Sequence, residues 1–298
     1  RGGAVTLARR KLLQLIGLLG VPSVFLLVFF LCPLVIMLIY SGLTPGLYGG
    51  VDWVFSHLNY GRILGWADTR YEKFDPVYLA IFLRSLRLAA LTVLASLLIS
   101  YPAAFWISRM RPARRDFAIF LVTLPFFVSL IVRLFAWVLI LRPTGFLNQG
   151  LMGLGLTSAP VEFLYTDFAV ILGMTYVFIP FMFLPLYGSL EKLDMTQIEA
   201  SADLGASRMQ TFRKVVLPAT LPGIIGGSII TFIPALGNFI VPSVLGGAKV
   251  LMIGNLIEQQ FLSARNWPFG SALAMLVMTA VLVLLVVQLR LARREGMS

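Results

Sequence analysis

Glu199, Asp203, Gly205, Ser207 and Gln210 fall at spacings that build and punctuate helices rather than make or break bonds. The stretch 194–218 reads as two short helices with a glycine between them. Asp194 can cap the first, with Gln197 three residues later, and Gly205 is placed to end it. Ser207 can cap the second, with Gln210 three residues later, and Pro218 lies near its end. Met195, Ile198 and Ala202 share one face of the first helix, and Met209, Phe212 and Val216 share one face of the second. Such a pair packs one side on its own protein and offers the other to a partner. Two kinds of contact suit it. One is docking into a protein groove. The other is a DNA-binding helix-turn-helix in which Arg208, Arg213 and Lys214 meet phosphates. Glu199 and Gly205 also have plain structural uses, as a charge near a helix start and as a cap.

A second set suits a positively charged solute. Phe126, Phe127, Trp137, Tyr176, Phe181 and Phe239 lie in or beside strongly apolar runs, and aromatic faces attract ammonium groups. Packing between helices is their structural alternative. Arg133 sits inside an apolar run, where it would repel a cation if it lined a path; pairing with backbone or with a partner's acid is the alternative. Asn238 follows Gly237 and can touch a solute or bridge two helices. Glu258 is either an acid facing a cavity or a binding protein, or an ordinary solvated one. Carboxylates within the apolar runs are almost lacking, so a polycation would find most of its negative charge on another chain.

Enzyme signatures are missing. No Gly-Lys dipeptide occurs, so there is no G-x-x-x-x-G-K-[ST] phosphate loop and no ATP hydrolysis of that kind. Neither a G-x-S-x-G elbow nor a dinucleotide fingerprint is present. His57 has no cluster of ligand residues around it, so no metal site is expected. Cys32 is the one cysteine, cannot form an internal disulfide, and reads as a buried structural thiol.

The elements that must position these residues follow from composition. The 298 residues are 59% hydrophobic and 12% charged, against about 25% charged for a soluble domain. Runs near the ~20 residues that cross a bilayer recur along the chain. The expected architecture is an all-α polytopic membrane protein with six transmembrane helices, as one permease domain over 1–298. The expected spans are 12–39, 88–107, 117–141, 168–187, 223–245 and 270–289. Residues 41–77 read as a long polar loop, 78–87 as an amphipathic lead-in at the interface, and 142–166 as a loop with four glycines. Residues 246–269 read as a loop with a short helix near 253–261, and 188–222 as the polar plug-bearing segment. Fifteen of the 24 lysines and arginines lie in the amino terminus, the 109–115 turn, the 188–222 segment and the carboxyl terminus. Eight lie in the opposite loops and the lead-in, and Arg133 is the last. Both termini and the plug are therefore expected on the cytoplasmic side. The net charge of +11 fits basic loops meeting anionic lipid.

The spacing of Glu199-Ala200-Ser201, Asp203-Leu204-Gly205 and Val215-x-Leu217-Pro218 resembles the EAA loop of ABC importer permeases, with Ser201 standing where alanine is usual. Four further stretches extend the likeness over most of the chain: Leu124-Pro125-Phe126-Phe127 with Ile131 and Arg133; Pro180-Phe181-Met182 through Tyr187; Pro234-Ala235-Leu236-Gly237 with Phe239; and Leu245-Gly246-Gly247, followed by Arg265-Asn266-Trp267-Pro268. Together they are similar to the first permease subunit of spermidine/putrescine importers. Relatives importing opines, iron(III) or thiamine share the framework and stay open as alternatives. The resemblance implies the type I importer permease (MetI-like) fold in a bacterial inner membrane. It also implies a second, homologous permease in a heterodimer, two ATPase subunits carrying ATP and magnesium, and a periplasmic substrate-binding protein. No cofactor on this chain and no nucleic-acid partner are implied. In that family the EAA loop docks on the ATPase, which assigns coupling to Glu199, Ala200, Ser201, Asp203, Leu204, Gly205 and Pro218.

Overall fold

The computed structural model describes residues 2–66 and 74–295, with side chains from 17 onward apart from 21, 287–289 and 291–295. Among the basic residues weighed for orientation, Arg1, Arg9, Arg10, Lys11, Arg70, Lys73, Arg293 and Arg294 lie outside the described side chains. The chain opens with α1 (Gly2–Ser41), then the strands β1 (Leu43–Pro45) and β2 (Val51–Phe55). Next come α2 (Leu58–Ile63), α3 (Val77–Ile107), α4 (Pro112–Thr123), α5 (Leu130–Leu141), α6 (Phe146–Gly153) and α7 (Asp167–Glu191). α8 (Met195–Asp203), α9 (Arg208–Thr211), α10 (Leu217–Leu236), α11 (Ile253–Leu262) and α12 (Trp267–Glu295) complete it. Among the described residues six helical stretches are long and apolar enough to cross a bilayer: Gly17–Ser41, Val77–Ile107, Leu130–Gly153, Asp167–Glu191, Arg208–Leu236 and Trp267–Val286.

The chain divides into two compact units, residues 1–76 with 257–298, and residues 77–256. In the first unit, α1 packs along α12, and β1 and α2 also meet α12. The polar stretch after α1 is not only loop. β1 and β2 pair antiparallel with Thr44 opposite Asp52, and the Asn59 side chain donates to the carbonyls of Ser41 and Leu43 at 3.0 and 2.9 Å. Phe269, Ala272 and Leu273 of α12 are fully buried, with the Arg62 guanidinium 4.4 Å from the Phe269 ring centroid. The expectation for Cys32 fails: its side chain is exposed. It lies on α1, where most of the apolar side chains described between Leu18 and Ile39 are exposed, as suits a helix facing lipid.

The second unit is organised around α7, which is apolar all round and contributes buried residues from Ala169 to Leu190. α3 and α10 pack on it. α3 buries Ser85, Leu88, Ala89, Thr92, Ser96, Ser100, Ala104 and Ile107, a mostly small-residue stripe at helical spacing that lets backbones approach. α10 does the same through Gly223, where a Cβ would lie 2.5 Å from Ser189 Oγ and 2.7 Å from the Pro185 carbonyl.

Span boundaries differ from expectation, most clearly in four of the six spans. The lead-in and the second span are one helix, α3. Its polar first turns need no interface, because Arg84 and Arg87 both bind the Asp167 carboxylate at 2.5 Å. The third span is broken into α4 and α5 by a 3-10 turn at Leu124–Phe127 and extended backbone at Val128. Pro125 supplies no N–H and would crowd the carbonyl of the preceding turn. The fifth span starts earlier and ends earlier, running from Arg208 to Leu236. Residues 237–239 then break the helix before a π-helical turn at Pro242–Gly246. α12 extends beyond both expected ends of the sixth span. Helix α6, inside the expected glycine-bearing loop, was not anticipated, whereas α11 lies where the short helix was expected.

Candidate coupling element and translocation path

The plug segment folds as two capped pieces. The Asp194 carboxylate accepts from the Thr196 N–H at 3.0 Å, and this bond holds the carboxyl below the usual carboxylate range. Gln197 does not close a box around it; only its backbone N–H reaches the Asp194 carbonyl, at 3.2 Å. Gly205 ends α8 with φ of +78°, and the N–H groups of Gly205 and Ala206 donate to the carbonyls of Ala202 and Ser201 at 2.9 and 3.1 Å. A reciprocal box then starts α9: Ser207 N–H donates to Gln210 Oε1 at 2.8 Å, and Gln210 N–H to Ser207 Oγ at 3.3 Å.

Pro218 does not lie near the end of a short helix. α9 continues through a π-helical turn at Phe212–Val216 into α10, so Pro218 sits early in a membrane span. The Leu217 N–H donates to the Phe212 carbonyl five residues back, and the widened turn accommodates a residue that has no N–H of its own. The two pieces are also tied by a bond that sequence spacing did not show. Ser201 Oγ lies 2.9 Å from Thr211 Oγ1, and Thr211 is buried.

The expected inner faces are only partly inward. Ile198 and Phe212 pack on the buried cluster of Ala104, Ile107, Phe183, Leu186 and Val216. Met195, Ala202 and Met209 are exposed. Behind α8 lies a cleft of about 530 Å³ lined by Phe105, Arg109, Ile198, Thr211, Phe212 and Val216. Burial holds the Arg109 guanidinium below its ordinary value there, with Tyr101 acting in the opposite direction. Glu199, Ala200, Asp203, Leu204 and Gly205 are all exposed, Leu204 at 88%, while Ser201 is half-buried. The outward surface thus carries an exposed Leu204 at the end of α8, next to Asp203 and with Glu199 one turn back. Arg115 of α4 reaches Glu191 at 3.0 Å, pinning the basic turn beside the plug, and Tyr101 Oη lies 3.0 Å from Thr220 Oγ1 at the base of α10.

The path residues form two aromatic groups on α5, α7 and the turn before α5. Phe126 meets Phe181 edge-on at 5.2 Å, and Phe181 meets Phe178 at 5.9 Å. Trp137 meets Tyr176 at 5.7 Å, and the Arg133 guanidinium lies 5.8 Å from the Tyr176 ring centroid. Arg133 Nε is buried without a hydrogen-bond partner. Phe127 is 80% exposed and joins neither group. Asn238 turns its amide to the backbone, accepting from the Val241 N–H at 2.9 Å, which is a turn-forming role. Beside it Phe239 is exposed, while its carbonyl accepts from Asn255 Nδ2 at 2.9 Å. Asn255 is buried and also donates to Ser243 Oγ at 2.7 Å. From the first turn of α11 it stitches that helix to the broken helix end, and its partners more than ten residues away gave no signal of this in the sequence. Glu258 lies in the other unit and is half-buried.

Residues 95–295 match the family described as binding-protein-dependent transport system inner membrane component. The chain belongs to this family. It is a multi-pass inner-membrane permease subunit of an ABC importer. It is 44% identical to the spermidine/putrescine transport system permease protein PotB of Haemophilus influenzae, over 72% of this chain and 74% of that one. It is 39% identical to PotB of Escherichia coli K12, over 82% and 85%. An inner membrane ABC transporter permease protein of Escherichia coli K12, YdcU, is 35% identical over 75% and 74%. Two solved structures of a bacterial ABC transporter for alginate share the fold. One has a TM-score of 0.72 at 17% identity over 98% of this chain and 99% of that one. The other, in complex with an alginate pentasaccharide-bound periplasmic protein, has a TM-score of 0.73 at 18% identity over 99% and 98%.

Proposed function

We propose that this permease carries polyamines of the spermidine and putrescine class and that residues 188–222 couple it to a separate ATPase. The observation that carries the substrate is the 38–44% identity, over most of the chain, to permeases named for spermidine and putrescine. The aromatic groups around Phe181 and Tyr176 fit that reading, since methylene-spaced ammonium groups favour aromatic faces. Arg133 directs its charge toward Tyr176, and most of the countercharge for a polycation comes from the partner chains. Phe127, Trp137, Asn238, Phe239 and Glu258 remain path candidates on this reading.

The plug supports the coupling role. Its exposed Leu204, following Asp203 at the end of α8, stands on two capped helices whose second member continues into a membrane span. A push on α8 reaches α10 through the Ser201–Thr211 bond and the continuous helix. The same continuity disfavours nucleic-acid binding, because α9 is the first turn of that span and has no freedom to enter a groove. The whole transporter pairs this chain with a second, different permease, two ATPase subunits holding ATP and magnesium, and a periplasmic binding protein. Both termini and the plug face the cytoplasm, as the fifteen basic residues on that side support. ATP binding draws the two plugs together and opens the cavity between permeases to the binding protein; hydrolysis resets it inward.

The test is ATP hydrolysis by the reconstituted transporter with its binding protein, across spermidine, putrescine, amino acids, opines, iron(III) and thiamine. Stimulation by polyamines alone supports the proposal. Stimulation by another solute moves the chain to a sister specificity, and flux without ATP would replace the importer with a passive channel.

A further inference from the structure

The turn between α3 and α4 carries Arg109, Arg111, Arg114 and Arg115, and two of the four are already engaged. Arg115 pairs with Glu191 at 3.0 Å and with Asp116 at 3.5 Å. Arg109 lays its guanidinium 3.5 Å from the Phe105 ring centroid. Arg111 and Arg114 are exposed and have no carboxylate partner among the described residues. Both line a cleft of about 930 Å³ whose remaining wall includes Trp106, Met110, Phe117 and Leu121. Trp106 and Phe117 are 69% and 61% exposed.

The order of these residues is informative. Arg114, Phe117 and Leu121 recur at intervals of three and four and share one face of α4. Charge stands at the start of α4 and apolar surface about 10 Å further along its axis. Trp106 closes the last turn of α3 at the same level as the turn, a position that suits the boundary between headgroups and hydrocarbon. A cleft that is cationic at one end and apolar about 10 Å further along matches a phospholipid, with phosphate at the arginines and acyl chains along Phe117 and Leu121. Two guanidiniums without acids leave a net positive mouth, which favours a phosphate with no ammonium attached to it.

We propose that this cleft binds the headgroup of an anionic phospholipid of the phosphatidylglycerol class. The proposal rests only on the chain spanning a membrane, so it stands or falls independently of the solute and of the ATPase partner.

The experiment is native mass spectrometry of the purified full chain in mild detergent, titrated with phosphatidylglycerol and with phosphatidylethanolamine of the same acyl chains. The unmodified chain is expected to retain phosphatidylglycerol in preference. The double variant Arg111→Gln with Arg114→Gln should weaken that retention by roughly thirtyfold, as expected for two arginines near a lipid surface. Arg111→Lys with Arg114→Lys should keep most of it and shows that the fold is intact. Arg142→Gln with Arg265→Gln, which removes the same charge elsewhere, should leave it unchanged. Equal binding of both lipids, equal retention by the Arg111→Gln/Arg114→Gln variant, or equal loss in the Arg142→Gln/Arg265→Gln control would each overturn the proposal.

Discussion

Gly205 holds φ of +78° in open space, so what the position demands is backbone conformation and not room. A leucine there meets the left-handed penalty of about 1–2 kcal/mol and loosens the end of α8. Gly205→Leu is expected to abolish solute-stimulated ATP hydrolysis in the assembled transporter while the binding protein keeps its affinity for solute. Unchanged uptake by an assembled Gly205→Leu transporter would remove α8 from the coupling path. Ser201→Ala deletes the bond to Thr211 and should cost about 1 kcal/mol of stability, read as a lower melting temperature, with most uptake retained. Asp194 adds a pH dependence. Its carboxyl is held below the ordinary value, so its cap stabilises α8 above about pH 4 and is lost as pH falls through the lowered value. Hydrogen exchange at the start of α8, corrected for intrinsic rate, should be flat from neutral pH to about 5 and rise only in stronger acid. The caps were legible because Asp, Ser, Gly and Gln signal through neighbours within three or four residues. The Ser201–Thr211 bond was not, because its partners lie on different helices.

At the scale of elements, prolines and glycines decide where helices break and how closely they pack. Gly223 lies against the backbone of α7, and Gly223→Ala should destabilise the chain by about 1–3 kcal/mol through overpacking. Gly226→Ala is the control, since its Cβ would meet nothing nearer than 4.0 Å and its melting temperature should not fall. A thermal melt in detergent separates the two. Asp167 neutralises Arg84 and Arg87 at the start of α3, and Asp167→Asn should cost about 1 kcal/mol because both arginines still touch water. Faster hydrogen exchange confined to the first turns of α3 is the expected readout. The polar turns of α3 looked like a separate interfacial helix because the neutralising acid lies far away in sequence. The break at Pro125 and the π-helical turn before Pro218 have a local cause, yet a proline in an apolar run does not announce whether the helix bends, breaks or widens.

For the whole molecule, six apolar helical stretches and a polar plug between the fourth and fifth follow from composition and order. Polyamine-stimulated ATP hydrolysis by the reconstituted complex is the outcome expected at this scale. Its loss on exchanging Phe181 for alanine, with assembly intact, would place the Phe126–Phe181 pair on the solute's route. The sequence alone determined the class of the chain, its number of spans, the caps of the plug and the family likeness. Those rest on hydrophobic length, on interactions within a few residues, and on motif register. Tertiary structure decided which candidates meet. It paired Trp137 with Tyr176 and Phe126 with Phe181, turned Asn238 to its own backbone, and left Phe127 and Cys32 facing outward. It also engaged Arg115 and Arg109 while leaving Arg111 and Arg114 open over an apolar cleft. In a membrane chain almost every residue of a span is apolar, so pattern hardly separates a face packed on protein from one bathed in lipid. Only the packing of one helix on another assigns each side chain its neighbour.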